Sequence, residues 1–151
     1  HERAKRRRGN GRDIKLGPGG LVEVEFLVQH LLIEHGRDVP SIRATSTRQA
    51  LRRLQDAGLL APDVAAVLLT GYDNLRKTQN WLRIAYDEML DWVSFDAEAL
   101  RSLALAVGWQ GDDAGQHLAR ALEEQTAQIH AIYQRLVGIS TSPSGPVMRE
   151  V

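Results

Sequence analysis

The segment with the clearest chemical potential is a glycine-rich turn that leads directly into an apolar helix pattern. Residues 16–20 read Leu-Gly-Pro-Gly-Gly, which cannot continue a regular element, and Lys15 stands immediately before them. Unpaired turn amides, the positive end of the helix dipole and a lysine together could hold a phosphate group through Lys15, Gly17, Gly19 and Gly20. A purely structural turn explains the same residues, and both interpretations stay open.

Neither common nucleotide-binding loop fits this turn. In a P-loop the lysine follows the glycines and precedes Ser or Thr, whereas here Lys15 comes first and no such pair follows. A dinucleotide fingerprint requires a surrounding strand–helix–strand unit, which the sequence does not indicate.

Two carboxylates lie at the start of the helix that follows the turn. Glu23 and Glu25 are two residues apart, so they do not share a helix face and are poor candidates for holding one metal ion. Glu23 is explained as an acid that stabilises the helix dipole. Glu25 stands among apolar residues, and we expect it to form a partly buried ion pair with Arg76, with Arg83 as the alternative partner.

The remaining residue types exclude several kinds of reactive centre. The chain has no cysteine, so a disulfide framework, a thiolate metal site and a cysteine nucleophile are all ruled out. His30 and His35 are five residues apart, which is not the spacing of a helical zinc pair. Neither a Gly-x-Ser-x-Gly motif nor an Asp-x-Asp pair on a strand is present. We therefore predict no catalytic residue and no metal site in this chain.

Charge is unevenly distributed although the formal net charge is zero. Residues 1–15 hold seven basic and two acidic side chains, a net of +5, so the remaining 136 residues carry −5. A basic arm can bind nucleic acid. No aromatic residue interleaves these charges, so this pattern disfavours nucleic-acid binding, and a solvated linker is the simpler interpretation. The sequence begins at His1 rather than Met, which suggests a fragment of a longer protein.

Helical periodicity runs through most of the chain and predicts an all-α bundle of about five helices. We expect a first helix from Leu21 to Gly36, a second from Ser46 or Thr47 to Gly58 and a third beginning at Pro62. The fourth is capped by Ser94 or Asp96, and residues 87–94 are predicted to connect it to the third. No strand has strong support, although residues 13–16 could form a short one if a partner exists.

The last helix is predicted to be long and antiparallel to another long helix. Its inward positions are spaced 4, 3, 4, 3 and 4 residues apart, a coiled-coil-like seam. They are Leu118, Leu122, Gln125, Ile129, Ile132 and Leu136. The predicted organisation is a basic linker and glycine turn in residues 1–20, a helical domain in 21–138 and a disordered tail in 139–151. No apolar run approaches the ~20 residues of a membrane span and no signal peptide is visible, so a cytoplasmic location is expected.

Residues 13–29 read Asp-Ile-Lys-Leu-Gly-Pro-Gly-Gly-Leu-Val-Glu-Val-Glu-Phe-Leu-Val-Gln. This segment resembles the pattern of glutamine synthetase adenylyltransferases, Asp-Ile-Lys-x-Gly-x-Gly-Gly-Ile-x-(Asp/Glu)-Ile-Glu-Phe-x-x-Gln, at nearly every defined position. Residues 47–60 resemble the family helix that ends in Ala-Gly-Leu-Leu, and residues 72–77 resemble its Tyr-x-Phe-Leu-Arg-Arg. The chain departs from the family at residues 78–82, Thr-Gln-Asn-Trp-Leu, where Val-Glu-His-Arg-Leu is usual.

The resemblance implies a helical regulatory or docking domain that follows a nucleotidyltransferase domain. Members of this family attach AMP to a tyrosine of glutamine synthetase and remove it, with the balance set by PII signal proteins and glutamine. ATP and Mg²⁺ are implied for the whole enzyme, whose metal-binding motifs lie upstream of the glycine turn, and no cofactor is implied for this chain. The carboxy-terminal half of the enzyme is favoured. Two alternatives remain: a stand-alone helical interaction scaffold, and a nucleic-acid-binding module that uses the basic arm.

Overall fold

Five α-helices dominate the computed structural model, which describes residues 9–86 and 91–138. They are α1 (Leu21–His35), α2 (Thr47–Asp56), α3 (Pro62–Tyr86), α4 (Ala97–Ala106) and α5 (Ala114–Tyr133). A 3₁₀ turn, Pro40–Ile42, precedes α2, and α5 continues into a π-helical turn, Gln134–Gly138. The predicted all-α class and long last helix are confirmed. Most of the basic arm and the predicted disordered tail lie outside the described residues.

Side-chain caps fix where α2 and α4 begin. The Ser46 hydroxyl accepts a hydrogen bond from the backbone N–H of Gln49 at 3.2 Å. The Asp96 carboxylate does the same for Ala99, also at 3.2 Å. Each cap satisfies one of the amides that a helix N-terminus leaves without an intrahelical partner. Ser46 and Asp96 are therefore the caps among the alternatives that the sequence offered.

The two long helices, α3 and α5, pack closely at Gly71. A Cβ atom built on Gly71 would lie 2.6 Å from Cδ1 of Ile129, so only a glycine allows the helices this separation without adjustment. Earlier residues of α3 lie against later residues of α5: Ala66 faces Gln128, whereas Thr78 faces Leu118 and Leu122. The helices are therefore antiparallel, as the sequence predicted.

One position of the predicted α5 seam is less buried than expected. Gln125 faces α3 beside Gly71 but is only partly buried, whereas the next residue, Thr126, is 2% exposed. The Thr126 hydroxyl donates a hydrogen bond to the carbonyl of Leu122 at 2.6 Å, so its burial leaves no donor unsatisfied. An α-helix has 3.6 residues per turn, and a strict 4, 3, 4, 3 spacing therefore drifts away from the buried face.

A two-stranded antiparallel sheet joins the start of the described chain to the segment between α3 and α4. Strand β1 (Gly11–Asp13) pairs with β2 (Trp92–Ser94), with Arg12 opposite Val93. The conditional strand thus exists, but at residues 11–13 rather than 13–16, and the predicted connection at 87–94 contains its partner. Val93 is fully buried, which anchors the pair to the helical core. None of the described helices is long and apolar enough to cross a bilayer.

Candidate functional site

The glycine turn between β1 and α1 is closed by its own backbone. The Asp13 carboxylate accepts hydrogen bonds from the N–H groups of Lys15 and Leu16, at 2.9 and 2.8 Å. The N–H groups of the next residues donate to chain carbonyls or, at Gly19, to a carboxylate. They belong to Gly17, Gly19, Gly20, Leu21 and Val22. Every non-proline amide from Lys15 to Val22 is therefore used within the chain, and the free amides that phosphate binding by the backbone requires are not available.

The glycines of the turn approach this chain itself. Gly19 has φ +73°, and a Cβ there would overlap the backbone of Thr126 on α5. A Cβ on Gly20 would lie 2.7 Å from the carbonyl oxygen of Ile14. One on Gly17 would overlap the carbonyl of Asp13. These glycines let the turn fold tightly and seat it against α5, while the Lys15 side chain remains exposed.

Glu23 connects the turn to the last helix. One carboxylate oxygen accepts the Gly19 N–H at 2.8 Å, and His130 Nδ1 lies 2.9 and 3.2 Å from the two oxygens. Glu23 is the third residue of α1, the position from which a carboxylate reaches back to a preceding amide in a capping box. Sequence reasoning identified Glu23 as a dipole-stabilising acid but missed His130. The two are 107 residues apart, and no local pattern signals such a pair.

Glu25 and Arg76 take partners other than each other. The Tyr72 hydroxyl lies 3.5 Å from a Glu25 oxygen, and an Arg76 guanidinium nitrogen donates to Oε1 of Gln79 at 3.2 Å. The predicted Glu25–Arg76 ion pair is replaced by these contacts. Tyr72 stands one helical turn before Arg76 on α3 and fills the place opposite Glu25.

A second polar cluster supports the turn from the other side. Nε2 of Gln79, which is 2% exposed, donates to the Asp91 carboxylate at 2.6 Å. Arg83 lies 3.8 Å from the same oxygen. The carbonyl of Asp91 accepts the N–H of Ile14 at 2.8 Å, so the cluster ends at the residue before Lys15. Gln79 stands where the family pattern has Glu, and here the amide supplies the donor that Asp91 needs.

The described residues do not fit the Mg²⁺ that the resemblance implies for the whole enzyme, and the turn backbone does not fit a nucleotide phosphate. Across residues 9–86 and 91–138, no three histidine or carboxylate side chains come together in a way that could hold a metal ion. The turn amides are already paired.

Comparison with known proteins identifies the family of this chain. The family profile described as GlnD PII-uridylyltransferase matches residues 1–137. The chain belongs to this family. Among its curated relatives, a protein from Thioalkalivibrio sulfidiphilus is 36% identical over 146 residues, covering 93% of this chain and 15% of the relative. Another, from Mycobacterium bovis, is 35% identical over 132 residues, covering 83% of this chain and 13% of the relative.

Both of those family relatives are named bifunctional glutamine synthetase adenylyltransferase/adenylyl-removing enzyme, as is a Mycobacterium leprae protein that is 34% identical over 131 residues. The resemblance predicted from residues 13–29 is confirmed. The chain spans about one seventh of the length of these relatives, because it matches 15% of the first and 13% of each of the other two.

Proposed function

We propose that this chain is a helical docking domain of a glutamine synthetase adenylyltransferase. In this proposal the whole enzyme transfers AMP to and from a tyrosine of glutamine synthetase, and this part carries no catalytic group of its own. ATP and Mg²⁺ belong to a nucleotidyltransferase domain elsewhere in the same polypeptide. The names of the curated relatives support the enzyme class, and the outer face of α1 supports docking.

The observation that carries the docking role is that α1 is apolar on two opposite sides. Its inner side packs in the core through Val24, Leu27, Val28 and Leu31. Its outer side presents a second row at spacings of four, three and four residues, in which Val22, Phe26 and Ile33 are apolar and Gln29 is polar. Phe26 is 60% exposed and Ile33 is 80% exposed. Large apolar side chains grouped on an exposed helix face commonly mark an interaction surface, so the outer row is expected to be covered in the whole protein.

The proposed occupant of this face is the nucleotidyltransferase domain of the same protein. The turn leads directly into α1, and Leu16 beside Lys15 is 71% exposed. Lys15 would then line the wall of the neighbouring active site beside Gly17, whereas Gly19 and Gly20, which sequence reasoning also placed there, are buried against this chain. Because the turn amides are already paired, the contribution to a bound nucleotide comes from the Lys15 ammonium group.

The proposal also covers the protein substrate, the regulatory partner and the cellular location of the whole enzyme. Glutamine synthetase is the proposed substrate protein, since the relatives carry its name. The family description names PII, which we propose as a regulatory partner of the whole enzyme. A cytoplasmic location agrees with both partners.

The docking role is tested by variants of the full-length enzyme. Phe26→Ser combined with Ile33→Ser should expose the interface, raise proteolytic cleavage between the two domains and lower AMP transfer about tenfold or more. Lys15→Ala should lower turnover or nucleotide affinity roughly ten- to a hundredfold, because a charge-assisted phosphate contact is lost. Leu105→Ser on α4 is the control: Leu105 is 44% exposed, and its replacement should leave both measurements within about twofold.

The same Phe26→Ser and Ile33→Ser changes in the 151-residue chain should not lower its melting temperature, because neither side chain packs in its core. That measurement separates loss of docking from loss of folding. If the double variant behaves like Leu105→Ser in the full-length enzyme, α1 is not a docking face. If Lys15→Ala stays within about twofold of wild type, the turn is a hinge rather than an active-site wall.

A further inference from the structure

Arg12 carries a buried guanidinium nitrogen that has no partner among the described residues. It is the middle residue of β1, opposite Val93, and its Nε is enclosed without a hydrogen bond. No carboxylate of the described residues lies within ion-pair distance of its side chain. An enclosed, unpaired donor on a permanently charged group is unfavourable, so this position is suited to an acceptor that the described residues do not supply.

The Arg12 side chain borders a cavity between the glycine turn and α5. The cavity is about 100 Å³ and is lined by Arg12, Pro18, Glu123, Thr126, Ala127 and His130. Its walls are rigid on two sides, because Gly19 seats the turn on Thr126 and the Thr126 hydroxyl is held by the Leu122 carbonyl. The volume suffices for a group of a few heavy atoms.

We propose that this cavity binds an oxyanion, either a phosphate group or a carboxylate, through the Arg12 guanidinium. A planar guanidinium matches both groups with two parallel N–H···O hydrogen bonds. His130 borders the same cavity from α5, where its Nδ1 is held by the Glu23 carboxylate. The anion site is distinct from the docking face of α1, and neither proposal depends on the other.

The negative charge of Glu123 disfavours anion binding, so the charges of Arg12 and Glu123 should have opposite effects on the affinity. Glu123 is an exposed residue on the cavity wall, and its negative charge repels the ligand that Arg12 attracts. Removing the Arg12 charge should therefore weaken binding, and removing the Glu123 charge should strengthen it. A merely structural role for Arg12 predicts no effect of Glu123 on anion binding.

The test is a titration of the 151-residue chain with inorganic phosphate and, separately, with acetate, at constant ionic strength. Amide signals of residues 123–130 in ¹H–¹⁵N spectra locate the ligand. We expect saturable shifts in this segment, affinity at least about tenfold lower in Arg12→Gln, and affinity several-fold higher in Glu123→Gln. Arg120→Gln, which removes an exposed arginine from the same helix, should change the affinity by less than about twofold.

The two ligands distinguish the sources of the oxyanion. Saturation by phosphate alone assigns the site to a phosphate group, and saturation by acetate alone assigns it to a carboxylate. Titration curves of Arg12→Gln that match wild type would overturn the proposal. If Arg12→Gln does not fold, Glu123→Gln decides: unchanged or weaker binding in that variant overturns the site as well.

Discussion

Gly19 combines two requirements that only glycine meets in this structure. Its φ of +73° lies in the left-handed region, where a side chain is unfavourable, and its backbone touches that of Thr126 on α5. Gly58, which follows α2, has nearly the same φ of +76°, but a Cβ added there would meet no atom within 4 Å. Comparing alanine variants at the two positions therefore separates the energetic cost of backbone strain from that of steric contact.

We expect Gly19→Ala to cost about 2–5 kcal/mol of unfolding free energy and Gly58→Ala only about 1–2 kcal/mol. Both variants force alanine into a left-handed conformation, but only the first must displace the Thr126 backbone. Urea unfolding followed by circular dichroism measures both. Equal losses in the two variants would show that the turn moves away from α5 without penalty, contrary to the packing of Gly19 on Thr126.

At the residue scale, local chemistry was predictable and distant pairing was not. Ser46 and Asp96 act on amides three residues ahead of them, so their cap roles follow from sequence alone. The partners of Glu23 and Glu25 come from α5 and α3, and their identity depends on how the helices pack. Arg12 was noticed only as one charge of a basic arm, because its enclosure arises from the pairing of β1 with β2.

At the element scale, helices were predictable because each carries its own periodicity and caps. Helix α3, for example, begins at Pro62 as expected. The strands have three residues each, too few for an alternating pattern to stand out, and each is stable only with its partner. Their pairing links residues 11–13 with 92–94, a relation that one linear sequence does not reveal.

The contact of α1 with α5 through Glu23 and His130 can be measured by a double-mutant cycle. Glu23→Gln and His130→Gln should show a coupling energy of about 0.5–1.5 kcal/mol, because the pair is only partly exposed to solvent. The control pair is Asp113, immediately before α5, and His117 four residues later; this pair is more exposed, and about 0–0.5 kcal/mol is expected for it. Strictly additive effects of Glu23→Gln and His130→Gln would mean that the hydrogen bond does not tie the two helices.

At the scale of the whole molecule, the described residues form one core, and among them no cluster of histidine and carboxylate side chains could hold a metal ion. We expect the 151-residue chain alone to transfer no AMP from ATP to glutamine synthetase. Such transfer relies on metal ions to stabilise the reacting phosphoryl oxygens, and the residues that would hold them are expected in another domain. Incubation with radiolabelled ATP, Mg²⁺ and glutamine synthetase tests this, with the full-length enzyme as the positive control. Labelled glutamine synthetase produced by the chain alone would contradict it.

The pairing of β1 with β2 also has a consequence for the order of folding. Helices α4 and α5 are neighbours in sequence and can meet by closing a short loop, whereas Arg12 reaches Val93 only after roughly 80 intervening residues are arranged. We therefore expect the helical hairpin to form early and the strand pair to close late. The glycine turn, held between that strand pair and α5, would be completed in the last step, so the same late event would create the cavity beside Arg12.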